Sequence, residues 1–142
     1  MRPLAVTTWV IVALVGCKAT PAAPQLTQFE AQLAPRLEQH CASEQGCHGA
    51  EPAEEIDLDL RRPNAAKRLV GQPSEVRKGA VLVQPGNPEA SFLLDKLNGR
   101  LAKGEGKKMP LDADTGAPLP ESAEQLALTE ALTRWIKAGA KE

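Results

Sequence analysis

Cys41-Ala42-Ser43-Glu44-Gln45-Gly46-Cys47-His48-Gly49 places two thiols and an imidazole within eight residues. Cysteine and histidine are spent for their reactivity and ligating power more than for their packing, so a core alone does not call for this grouping. Five residues separate Cys41 from Cys47, and His48 follows at once. Such a cluster needs a scaffold and further partners from the rest of the chain.

Upstream, the chain opens with Arg2 and an apolar run over residues 4–15, broken only by Thr7 and Thr8 and followed by Gly16 and Cys17. A bilayer-spanning helix needs about 20 apolar residues, so this run is too short to cross and fits an export signal over residues 1–16. Leu14-Val15-Gly16-Cys17 resembles the bacterial lipobox, which implies cleavage after Gly16 and lipidation of Cys17. The alternative is an ordinary signal peptide followed by an incidental cysteine. With one of the three cysteines taken by lipid, Cys41 and Cys47 remain, and export puts them in an oxidising compartment. Residues 17–25, Ala-rich with two prolines, suit a tether, and residues 26–142 form one domain.

Cleavage would leave 126 residues carrying 16 basic and 18 acidic side chains, a balance that excludes the strongly basic face of most nucleic-acid binders. Tyrosine is absent, with only two Trp and two Phe. The core is therefore expected to be aliphatic and small, a setting in which a bound cofactor or a cross-link adds useful stability.

Helical spacing of Leu26, Phe29, Leu33 and Leu37 predicts a helix leading to Cys41, kinked or restarted at Pro35. Residues 49–55 read as a loop, and Ile56, Leu58 and Leu60 alternate with polar residues as an extended segment with one buried face. A short helix is predicted over 64–70, with Pro63 available as its first residue and Gly71 as its stop. After a looped 72–79 and the apolar 80–83, Pro85-Gly86 marks a turn. Asn87 is placed as N-cap and Pro88 as the first residue of a helix carrying Phe92, Leu93, Leu94 and Leu97. Residues 98–120, rich in glycine and proline, read as a long loop. Ser122 and Gln125 fit a capping box, and Leu128, Ala131, Leu132, Trp135 and Ile136 form an apolar stripe ending at Gly139. The predicted class is mainly α, with long loops.

Met109 stands in the long loop and is the only methionine after Met1. Pro110 biases it to an extended backbone able to present its sulfur. Two cysteines followed by a histidine suggest covalent haem attachment, with His48 on the iron and Met109 as the available thioether for the opposite side. The usual attachment spacing has two residues between the cysteines, not five. His40 adjoins Cys41 and is expected in a surface or packing role.

Phe29, Leu33, Pro35 and Leu37, then Cys41 and Cys47-His48-Gly49, then Pro85-Gly86-Asn87-Pro88 with Ser91 and Leu93, then Lys108-Met109-Pro110 and finally Trp135-Ile136-Lys137-Ala138-Gly139-Ala140 occur in an order that resembles planctomycete-type c-type cytochrome domains. The resemblance covers about residues 26 to 140 and implies a small cytochrome c-like helical domain around covalent haem c. In that reading Cys41 and Cys47 carry the thioethers, His48 is the proximal ligand and Met109 the distal one. It also implies single-electron transfer with a redox protein partner, at a membrane reached through the Cys17 anchor and facing the periplasm or cell surface. Arg100, Lys103, Lys107 and Lys108, with Glu105 the one acid among them, could steer an acidic partner or form a solvated face.

Two other readings stay open. Cys41 and Cys47 could close a disulfide, giving a haem-free lipoprotein that binds or builds. A zinc or copper site would use Cys, His and Met, but lacks the further ligands of a closed zinc centre. No nucleophile with its base and no carboxylate pair in a defined setting is visible, so catalysis is not expected.

Overall fold

The computed structural model describes residues 27–42, 47–49, 58–112 and 114–141. The expected signal over 1–16, Cys17, the tether and Ile56 lie outside the described residues, as do residues 43–46 between the two cysteines. Helices dominate the regular structure, joined by long segments that carry isolated β-bridges and, among the described residues, no sheet.

A π turn over Phe29–Leu33 runs directly into α1, Ala34–Cys41. The reason is local. Pro35 has no N–H to give to the preceding turn, and the chain adapts by widening, with the Ala34 N–H reaching back five residues to the Phe29 carbonyl. Pro35 then sits in the first turn of α1, where its missing donor costs nothing, as the restart predicted from sequence requires. Phe29, Leu33 and Leu37 face the core.

The second helix departs from expectation. α2 spans Ala65–Leu69, and Pro63 is outside it: Asn64 takes a left-handed conformation at φ 74° and supplies no side-chain cap. Val70, expected as helical, is extended because it pairs with Val83 in a parallel bridge. Residues 81–83 lie between two neighbours, bonding through Leu82 N–H to the Gln72 carbonyl and receiving Leu93 N–H on the Leu82 carbonyl at 2.8 and 3.0 Å.

The single helix expected from Pro88 is two pieces. Asn87 does cap, its Oδ1 accepting the Ala90 N–H at 3.2 Å, but the turn it starts is a 3-10 turn over Pro88–Ala90. Ser91 interrupts it in an extended conformation, and α3 begins at Phe92 and runs to Asn98. Ser91 is wholly buried and bridges Val81, while its hydroxyl accepts the Gln84 N–H and donates to the Asn87 carbonyl, each at 2.9 Å. These bonds outweigh helix continuity because a buried hydroxyl must be satisfied.

α4, Ala123–Lys137, matches its prediction. Ser122 Oγ accepts the Gln125 N–H, and Gln125 Oε1 accepts the Ser122 N–H, both at 3.2 Å. Leu128, Leu132, Trp135 and Ile136 are buried. The helix closes with Gly139 at φ 99°, whose N–H bonds the Ile136 carbonyl while Ala140 N–H bonds that of Trp135, a Schellman ending. Trp135 meets Phe29 at 4.5 Å between ring centroids, so α4 packs on the π turn, and it also contacts α3. No helix among the described residues is long and apolar enough to cross a membrane.

Candidate functional site

Between α1, α2, α3 and the long loop lies a cavity of about 720 Å³, lined by Cys41, Cys47, His48 and Met109 together. Residues up to 68 positions apart, from 41 to 109, thus converge on one space. The volume is in the roughly 300–1,000 Å³ range of small-molecule and cofactor pockets. Leu37, Leu58, Leu60, Leu82, Phe92 and Leu97 supply apolar lining.

His48 is set by backbone bonds. Its N–H donates to the Cys41 carbonyl at 3.0 Å, and its own carbonyl accepts the Leu60 N–H at 3.0 Å. Nδ1 lies 2.9 Å from the Leu58 carbonyl. A carbonyl can only accept, so Nδ1 carries the proton and Nε2 keeps a lone pair. Burial holds His48 below the ordinary imidazole range, opposed by the Leu58 carbonyl and helped by the Lys96 ammonium, which keeps the ring neutral at neutral pH. Leu58 and Leu60, read as an extended segment with a buried face, do present Leu60 to the core and Leu58 to the cavity, without joining a ladder. The Arg68 guanidinium braces this segment by donating to the carbonyls of Asp59 and Pro63, at 2.6 and 3.2 Å, and to that of Arg61.

Cys41 and Cys47 are half-buried, unbonded thiols. Burial, and secondarily the neighbouring Cys47, push the Cys41 thiol up to about 11, so it stays protonated. Among the described residues no group of three or more His, Cys, Asp or Glu side chains is placed to hold a metal ion, which counts against a zinc centre built from them.

Met109 enters the cavity lining from the long loop, half-buried against the core. Its N–H donates to the Lys96 carbonyl at 2.9 Å, pinning the loop to α3. The loop is more tightly held than its glycines suggested. Glu105, expected as the lone acid of a basic surface, is buried and accepts two bonds from the Arg77 guanidinium at 2.7 Å each. Arg77 also pairs with Asp95 and stacks 4.6 Å from the Phe92 ring centroid. The basic cluster is partly compensated as well: Arg100 bonds Asp95 at 2.8 Å, Lys108 bonds Glu121 at 3.2 Å, and Lys107 donates to the Gly116 carbonyl at 2.7 Å.

His40 lines the same cavity, beyond the surface or packing role expected of it. Lys96 and Arg77 went unnoticed in the sequence; only the Met109 loop's excess of charge hinted that partners were needed. A scan of protein-family models gives no match to this chain, and neither curated proteins nor solved structures give one.

Proposed function

We propose that this chain is an exported, lipid-anchored monohaem c-type cytochrome that passes single electrons at a membrane surface, with a cytochrome c-like domain over residues 26–142. The observation that carries this reading is the cavity in which both thiols, an imidazole and the thioether of Met109 meet. The donor set fits haem c. A neutral His48 with Nδ1 engaged by a carbonyl has the second-shell arrangement of a metal-ligating imidazole, with Nε2 as the ligating atom. Cys41 and Cys47 would hold the porphyrin through thioethers, and His48 and Met109 would be the residues that ligate the iron. When bound, the haem would supply a one-electron iron centre; the leucines and Phe92 of the lining would pack against it, and the Leu58 carbonyl would keep the ring of His48 oriented.

Cys17 would anchor the domain to a membrane facing the periplasm or cell surface. The redox partner is a protein, and acidic to the extent that Arg100, Lys103, Lys107 and Lys108 still attract after their internal pairing.

The test is to produce the full chain in a host with c-type maturation, then record its intact mass and pyridine-haemochrome spectrum. The expected result is one haem per chain, with a further mass increment for lipid at Cys17. A chain lighter by one pair of hydrogens, with no haem band, would overturn the reading in favour of the Cys41–Cys47 disulfide module.

A further inference from the structure

The segment that delivers Met109 has little rigidity of its own. Gly99, Gly104 and Gly106 all take left-handed backbone conformations, at φ 72°, 93° and 81°. Short loops built on such residues lose much conformational entropy when they order, so their shape must be imposed by specific contacts.

One side chain supplies three of those contacts. Glu105 Oε2 accepts the Ala102 N–H at 2.8 Å, which closes the 102–105 turn, and both carboxylate oxygens receive the Arg77 guanidinium. The Glu105 carbonyl takes the Lys96 ammonium at 2.9 Å, and the Lys96 carbonyl takes the Met109 N–H at 2.9 Å. Arg77 comes from the 72–79 segment and is itself fixed by Asp95 on α3, by the Arg100 carbonyl at 3.1 Å and by the Phe92 face. A two-pronged guanidinium–carboxylate pair fixes direction as well as distance.

The geometry points to Arg77 and Glu105 as positioning residues for Met109: their forked pair holds the glycine-hinged segment so that the thioether stays in the lining of the cavity that His48 also lines. This inference rests on the haem reading for its purpose, though not for the mechanical link itself. Neither residue lines up as a ligand; each acts through the loop.

The experiment uses the full chain and two variants, Glu105→Gln, which keeps the shape and loses the charge, and Arg77→Lys, which keeps the charge and loses the fork. Amide hydrogen exchange is followed at Met109, with Leu132 on α4 as the reference for global opening. Loss of a charge-assisted bidentate contact should speed exchange at Met109 by about tenfold or more in Glu105→Gln, less in Arg77→Lys, with Leu132 unchanged. In haem-loaded protein the spectral signature of sulfur ligation should weaken in the same order. Unchanged exchange at Met109, an equal rise at Leu132, or an intact sulfur signature in both variants would overturn the proposal. If the parent chain carries no haem, the cytochrome reading fails alone, and the exchange measurement still decides whether the pair holds Met109.

Discussion

The wall bearing His48 is tied together mainly by backbone: Cys41, His48, Leu58 and Leu60 are joined through main-chain groups and one ring nitrogen over a span of 20 residues, with the Arg68 guanidinium bracing the carbonyls of Asp59, Arg61 and Pro63. The wall bearing Met109 is tied by charge, through a pair 28 residues apart in sequence with Asp95 and Arg100 around it. Backbone bonds survive most side-chain substitutions. A charged fork does not, because removing one partner strands the other in a partly buried place. The imidazole side is therefore the robust half of the cavity and the thioether side the adjustable half.

The comparison breaks most sharply at His48 and Met109, which line the same cavity. Under the haem reading proposed above, His48→Ala is expected to abolish stable haem loading, whereas Met109→Ala should retain covalent haem, change the reduced-state spectrum and lower the potential. Intact mass and a redox titration check both, and equal haem loss in the two variants would erase the distinction between walls.

Next in size is Phe29→Ala. Phe29 is fully buried and packs on Trp135, and its π turn leads into the helix that delivers Cys41. Truncation should cost about 3–5 kcal/mol by urea unfolding. It should speed amide exchange at Cys41 and His48 more than at the 96–109 segment.

The smallest expected effect is acid opening of the Met109 wall. The Arg77 guanidinium, and then the Ala102 N–H, hold the Glu105 carboxyl down to about 2 from an ordinary 4.5. A folded-state value below the unfolded one means this contribution is fully present above about pH 4.5 and is lost as pH falls toward 2. The protection factor at Met109, with the intrinsic pH dependence of exchange divided out, should fall across that window in the parent chain and stay flat in Glu105→Gln. Matching profiles would remove Glu105 from the account.

How much of this was legible depends on the range of the interactions. α4 could be read in full, because a capping box, a 3.6-residue stripe and a terminal glycine are all local signals. The break at Pro35 was legible for the same reason. Pro63 and Ser91 misled, since Asn64 adopts a left-handed turn and Ser91 is claimed by a bridge to Val81, neither of which has a local signature. The four site residues were readable as chemistry, from residue type and rarity. That Leu58 would orient His48, and that Arg77 would capture Glu105, depended on contacts that only the folded chain creates.

The wide turn over Phe29–Leu33 also acts at a distance. Each residue added to a helix rotates the downstream chain by about 100°. By absorbing one extra residue just ahead of Pro35, the π turn sets the phase with which α1 emerges, and so the compass bearing at which Cys41 leaves it. The cavity's first thiol is aimed from 12 positions upstream, at Phe29, by a turn that never touches the ligand space.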